Sequence, residues 1–319
     1  MKKIGIIGFG SIGQRHYNNI RARYPKFQVN ILTKRSDIKP DENTAVFASE
    51  KEFFTQTNDI FFITNETDKH AQTIIKCLAQ NPDGIFIEKP IAHNMSNIPR
   101  IIKLVKRYKP VFMVGYCLQF HKPLLEIKKM IKNKIIGDII YIRSSVGQDL
   151  RTWRKRDYRA NYSYDSFKGG GVILDLIHDI NYPAWLLGEK IFLISGLVSK
   201  MSLFDIKSED IAEGIFKSKS GRLVSVHLDY LQNPGRRYCE ISGAKGTIVW
   251  DSLEEKIKIM FGNKKIKLKS IKQPGNNLYI NELSFFFKKV SENKGFNNLN
   301  ESISDLKNAL LLKKCAKRT

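Results

Sequence analysis

The apolar positions of this chain follow two regimes. Up to residue 116, short continuous apolar runs alternate with amphipathic stretches. The runs at 4–7, 27–32, 45–47, 59–64, 84–87 and 111–116 read as strands, and the continuous run at 59–64 as a buried parallel strand. Between them, 14–22, 49–57, 71–79 and 98–107 read as helices, with Ile74, Ile75 and Leu78 on one face of the third. Such alternation predicts an α/β fold with a doubly wound parallel sheet. Beyond Tyr116 the pattern changes. Residues 121–132 form an amphipathic helix and 139–146 alternate like a strand. Residues 149–166 are aromatic, basic and irregular. Gly169-Gly170-Gly171 precede a helix over 172–187. From 192 to 269, short alternating runs are separated by turn signals such as Asn233-Pro234-Gly235 and Gly262-Asn263, which predicts an antiparallel sheet. Helices over 278–293 and 301–316 close the chain.

Length and charge add little to this division. A chain of 319 residues suits about two domains. The boundary falls at 118/119, with the final helix free to pack back on the first domain. The net charge of +23, from 54 Lys+Arg against 31 Asp+Glu, raises nucleic acid as a partner. The lysines are spread along the chain, however, and the run Lys264–Lys269 alternates with apolar residues like the solvent face of a strand. No nucleic-acid partner is expected, whereas anionic substrates would benefit from the positive field. Cys77, Cys117, Cys239 and Cys315 lie far apart. That argues against a zinc site or disulfide framework and for a reducing, cytoplasmic setting. Lys2-Lys3 and the apolar run after them are broken by glycines and lead into Gln14-Arg15-His16, without a cleavage pattern. No apolar run approaches the roughly 18 residues of a membrane span.

The chemistry begins where the first strand breaks into Gly8-Phe9-Gly10-Ser11-Ile12-Gly13. G-x-G-x-x-G between a strand and a helix is the dinucleotide-binding fingerprint. Gly8 permits the turn, Gly10 lets the backbone approach a pyrophosphate, and Gly13 lets helix and strand pack closely. The second strand ends in Thr33-Lys34-Arg35-Ser36, with no acid before Asp37. An acid there would take the ribose hydroxyls of NAD, whereas hydroxyls beside Lys and Arg suit a 2′-phosphate, so NADP is preferred over NAD. Ligands of doubly wound sheets bind beyond the carboxyl ends of the strands. That rule gathers Gly8, Thr33, Thr64-Asn65, Glu88-Lys89-Pro90 and Gly115 on one rim. Lys89 could there donate a proton or hydrogen bond to a substrate oxygen. Asp175 and His178, three apart on a predicted helix, could pair a carboxylate with a proton-shuttling imidazole.

Together, GFGSIG at 8–13, EKP at 88–90, VGY at 114–116 with FHKP at 120–123, GGGVILDLIHDI at 169–180 and GAKGTI at 243–248 resemble the glucose-fructose oxidoreductase, inositol dehydrogenase and rhizopine-catabolism (Gfo/Idh/MocA) family. The resemblance spans nearly the whole chain. It implies a Rossmann domain, then an α/β domain whose large open sheet mediates dimers or tetramers. It implies hydride transfer between a nicotinamide and a carbinol carbon of a sugar, cyclitol or nucleotide sugar. By motif, Lys89 resembles the lysine contacting nicotinamide ribose and substrate, His178 the acid/base, and His70 the histidine beside the nicotinamide. Many relatives carry an aspartate four residues before that histidine. Here Leu174 stands there, and Asp175 and Asp179 are rival partners for His178. Relatives often carry Asn and Arg after the Gly-Tyr pair, where this chain has Cys117 and Gln119 next to Tyr116. The stretch 147–165 resembles a branch from surface-glycan and nonulosonate loci, which implies an activated or acid sugar, with Trp153, Arg154, Arg156, Tyr158 and Tyr162 lining its pocket. The expectation is therefore an NAD(P)-dependent sugar oxidoreductase without metal. A non-catalytic dinucleotide-binding regulator is the alternative.

Overall fold

The computed structural model describes residues 2–153, 157–202, 205–292 and 295–316. Two compact units emerge, Met1–Gly115 with Tyr279–Ile303, and Tyr116–Leu278 with Ser304–Thr319.

The first unit is built on a six-stranded sheet of β1 (Lys3–Ile7), β2 (Gln28–Leu32), β3 (Thr44–Phe47), β4 (Ile60–Ile63), β5 (Gly84–Glu88) and β6 (Val111–Gly115). Its order is β3-β2-β1-β4-β5-β6, and every neighbouring pair is parallel. The strand order reverses between β1 and β4, the point beyond whose carboxyl ends sheets of this kind bind ligands. The apolar runs are continuous because both faces of β4 and β6 are covered. One cover is the helix Asn277–Ser291, whose Phe286 sets its ring edge-on to Phe62 and Phe86 at 5.6 Å each. Aromatic contacts of this kind add about 0.5–1.5 kcal/mol beyond area burial.

The second unit holds an eight-stranded sheet of β7 (Ile139–Gly147), β8 (Ile191–Ser199), β9 (Ile211–Ser218), β10 (Leu223–Asp229), β11 (Arg236–Gly243), β12 (Gly246–Asp251), β13 (Lys256–Phe261) and β14 (Ile266–Ser270). The order is β14-β13-β12-β11-β7-β10-β9-β8, antiparallel throughout except for the β7–β10 pair. One face buries Ile142, Val224, Val226, Leu228, Ile241, Ile248 and Ile257. The helices Lys122–Lys132 and His178–Leu187 belong to the same unit.

Two elements differ from expectation. The predicted helix over 172–187 is two helices, Val172–Asp175 and His178–Leu187, because Leu176 (φ −100°, ψ 23°) leaves the helical region between them. In β14 the faces are the reverse of those the alternation suggests. Lys269 pairs in register with buried Ile257 and reaches Glu126 of the helix Lys122–Lys132. Leu268 shares the other face with Lys258 and is 64% exposed. A strand at a sheet edge is covered less than a central one, so its apolar residues do not report which face is buried.

Candidate active site

The glycine turn follows β1 directly. Gly8 has a φ of +91° and donates its N–H to the Leu32 carbonyl at 3.0 Å. A Cβ on Gly8 would lie 2.5 Å from the Asn65 nitrogen, and one on Gly13 would lie 2.4 Å from the Gly8 carbonyl oxygen. Thr64 closes this corner, its hydroxyl donating to the Gly8 carbonyl at 2.7 Å. Gly10 differs, since nothing lies within 4 Å of a Cβ placed there. Packing within the protein therefore demands Gly8 and Gly13, and the space before Gly10 is left open. The helix Ser11–Arg23 starts at that opening with Gly10 as N-cap, no side-chain cap and no acid in its first turn. Its first N–H groups and positive dipole end can receive an anion. These residues fit the pyrophosphate of a dinucleotide. Phe9 is buried and packs against Tyr17, with ring centroids 5.5 Å apart.

The basic loop after β2 lies against the same turn. Arg35 donates to the Phe9 carbonyl at 3.2 Å and to Asp37 at 2.8 Å, and Thr33 Oγ1 accepts the Arg35 N–H at 3.2 Å. Asp37, the first acid after β2, is thus held by Arg35. Lys34 and Ser36 occupy the same loop.

Beyond β5, the half-buried Lys89 precedes Pro90 across a cis peptide. Glu88 Oε1 lies 2.7 Å from Nε2 of the fully buried His16. A second acid, Glu282, is 1% exposed, and neither of its carboxyl oxygens meets a hydrogen-bond partner among the described residues. Burial, reinforced by the charge of Glu88, pushes its carboxyl well above the usual range. His70 is held on both sides by main chain. Its Nδ1 lies 2.7 Å from the Pro90 carbonyl and its Nε2 3.0 Å from the Asn65 carbonyl. Both ring nitrogens are directed at main chain, so the imidazole is a strut between the loops after β4 and β5. Burial lowers its pKa, and the two carbonyls, each of which needs an N–H to accept, oppose that shift.

In the second unit, His178 opens its helix. Its Nε2 lies 3.7 Å from Cys117 Sγ, and its ring meets Tyr116 edge-on at 6.0 Å. The two aspartates that rival each other as its partner have separate engagements. Asp175 accepts the Tyr230 hydroxyl at 2.6 Å. Fully buried Asp179 takes the Arg237 guanidinium at 3.0 Å and the Ser144 hydroxyl at 3.1 Å. A buried aspartate paired with a half-buried guanidinium has its charge balanced there. Tyr230 gathers further candidates. Trp153 lies against its ring at 5.9 Å, and burial pushes its hydroxyl well above the usual range, aided by Asp175 and Tyr162. Tyr158 is buried in the same loop segment. Gln119 donates to Asn181, which donates to Asp305 at 2.7 Å. Arg154 and Arg156 lie outside the described residues.

Sequence reasoning missed Glu282, Tyr230 and Arg237. Tyr230 had a readable signal, since it continues the period-two series Val224, Val226, Leu228. Among the described residues, no group of three or more His, Cys, Asp or Glu could hold a metal ion.

Residues 2–116 match the model of an oxidoreductase family with an NAD-binding Rossmann fold, and residues 124–249 match the GFO/IDH/MocA C-terminal domain. The chain belongs to the Gfo/Idh/MocA oxidoreductases. Among the relatives of this Gfo/Idh/MocA enzyme is myo-inositol 2-dehydrogenase of Thermotoga maritima, 25% identical over 269 residues that cover 79% of this chain and 76% of that one. The fold is shared with levoglucosan dehydrogenase in complex with NADH and levoglucosan (TM-score 0.83, 17% identity, 98% of this chain and 96% of that one). It is also shared with UDP-N-acetylglucosamine 3-dehydrogenase of Acidithiobacillus ferrooxidans (TM-score 0.79, 15% identity, 99% and 98%).

Proposed function

We propose that this oxidoreductase transfers a hydride between NADP, or NAD, and a carbinol carbon of a sugar, with an activated or acidic sugar as the preferred class. The observation that carries the reading is the open, uncapped glycine turn at Gly10; within its own unit, His178 is held against Tyr116 and Cys117. A bound nicotinamide would supply the carbon that accepts or returns hydride. Gly8 to Gly13, the Thr33–Ser36 loop, Thr64-Asn65 and Glu88-Lys89-Pro90 would hold the dinucleotide. His178 takes the hydroxyl proton of the substrate alcohol in oxidation and returns it in reduction. Lys89 hydrogen-bonds the same oxygen as negative charge develops on it. Asp175, fixed by Tyr230, orients the substrate beside His178, and Tyr116, Gln119, Trp153, Arg154 and Tyr162 contribute contacts to the sugar.

The named relatives act on inositol, levoglucosan and a UDP-sugar, all polyhydroxylated rings. Arg35 and its neighbours support the 2′-phosphate, and the net charge of +23 supports an anionic substrate. Absorbance at 340 nm should therefore change with at least one member of a panel of cyclitols, acid sugars and nucleotide sugars, with kcat/KM larger for NADP+ than for NAD+. A flat trace across the panel, with NADPH binding intact, would favour the non-catalytic regulator instead.

The same reading includes a partner, a second copy of the chain. Phe192, Leu197, Ile215 and Leu223, each between 42% and 52% exposed, cluster on adjacent strands β8, β9 and β10. An exposed apolar sheet face of this kind marks an interface. The native protein is expected to sediment as a dimer or tetramer, and Ile215→Lys with Leu223→Lys to shift it towards monomer with unchanged circular dichroism. A monomeric native protein at micromolar concentration would remove this part of the proposal.

A further inference from the structure

The three glycines ahead of the His178 region have no side chains with which to hold themselves. Gly169 and Gly171 take φ of +79° and +107°, and a Cβ on Gly170 would lie 2.2 Å from the Tyr162 carbonyl oxygen. Glycine loses more conformational freedom on ordering than any other residue, so the path of this segment must be set from outside. Residues 207–209 supply part of that. The Lys207 N–H donates to the Tyr164 carbonyl at 2.9 Å, the Ser208 hydroxyl to the Ser163 carbonyl at 2.9 Å, and the Val172 N–H to the Glu209 carbonyl at 3.1 Å.

The last helix, Leu299–Lys313, adds a charge. Lys313 Nζ donates to the Gly170 carbonyl at 3.2 Å and lies 3.3 Å from Glu209 Oε2. The Glu209 side chain is 8% exposed and lies so close to Gly171 that a Cβ there would be 2.2 Å from its Oε1. One ammonium thus ties the main chain of the glycine segment to the carboxylate packed against it. Glu209 also acts on the hydroxyl of Tyr230, the same hydroxyl that donates to Asp175.

We infer that Lys313 is a positioning residue: through Gly170 and Glu209 it sets the backbone path into Val172–Asp175, and with it the placement of Asp175 and His178. This rests on the reading of His178 as the proton-transfer group. Misplacement of a catalytic group by about 1 Å can cost on the order of 100-fold in rate. A half-buried cation that held the segment only for stability would act on folding instead.

The test compares Lys313→Met, Lys313→Arg and Glu209→Gln with the native protein in kcat, KM, pH profile, NADPH affinity by fluorescence and thermal unfolding, with His178→Ala assayed alongside. Lys313→Met is expected to lower kcat by about 10- to 100-fold and to displace a limb of the kcat/KM pH profile. NADPH affinity should stay within about twofold, and Lys313→Arg, whose fork can bridge the same two acceptors, should recover most of the rate. Glu209→Gln should reproduce the rate loss in part. Native kcat in Lys313→Met would overturn the inference. So would parallel losses of kcat, NADPH affinity and melting temperature without rescue by arginine, since those describe a purely structural tie. If His178→Ala keeps the native rate, the site reading itself fails; if only Lys313→Met does, the site stands and the positioning role falls.

Discussion

Substituting His178 by alanine should lower turnover by about 10²- to 10⁴-fold, the usual contribution of a positioned acid/base, while NADPH affinity stays within about twofold. The residue begins the helix His178–Leu187, and alanine is compatible with that position. The Asp179–Arg237–Ser144 network one residue on is anchored independently of the imidazole. The variant should therefore fold, and its defect should sit in the chemical step. Lys89→Ala tests the other half of the proposal and should also lose rate; because Lys89 is also proposed to hold the dinucleotide, NADPH affinity should weaken as well, while the Gly8–Gly13 turn and the Thr64 corner keep the pyrophosphate end in place. Steady-state rates with a fluorescence titration of NADPH separate the two effects. Near-native turnover in either variant would remove that residue from the mechanism. A proportional loss of NADPH binding in His178→Ala would show that the imidazole holds cofactor and not a proton.

The second large effect concerns stability. Glu282→Gln should make the protein more stable than native at pH 8, by about 1.4 kcal/mol for each pH unit by which the folded carboxyl titrates above its ordinary value, and leave it nearly unchanged at pH 5. Glu282 is buried with neither oxygen partnered among the described residues, close enough to Glu88 to feel its charge. Its carboxyl therefore titrates well above the ordinary 4.5 in the folded protein. Above pH 4.5 the unfolded chain has released this proton and the folded chain has kept it. Folding then takes up a proton, and stability falls as pH rises from about 4.5 towards the folded value. Glutamine resembles the neutral acid and does not titrate, so that slope should flatten. Urea unfolding at pH 5 and pH 8 measures it. Identical pH dependence in the two proteins would mean that Glu282 is ionised and paired in the native state.

The pH behaviour of Glu282 also illustrates where sequence reading stops. Glu282 falls four residues after Leu278 and four before Phe286, on the apolar stripe of its helix, so its burial could have been read from periodicity. That it lies near Glu88, almost two hundred residues earlier, could not. The rivalry between Asp175 and Asp179 had the same origin. Spacing places both near His178, whereas the groups that engage them, Tyr230 and Arg237, lie more than fifty residues downstream.

What the sequence determined by itself was local: the strand–glycine turn–helix at the start, the change from continuous to alternating apolar runs near residue 116, and, through a string of motifs, the Gfo/Idh/MocA family. These are legible because backbone conformation and side-chain period are set by neighbouring residues. Only the tertiary structure decided the strand order, the face that β14 presents, the break at Leu176, the role of His70 as a strut, and the reach of Lys313 into the Gly169–Gly171 segment. The contacts of His70 and Lys313 depend on groups distant in sequence meeting where a hydrogen-bonding group or charge left unpaired is costly, so the partner it finds sets what it does.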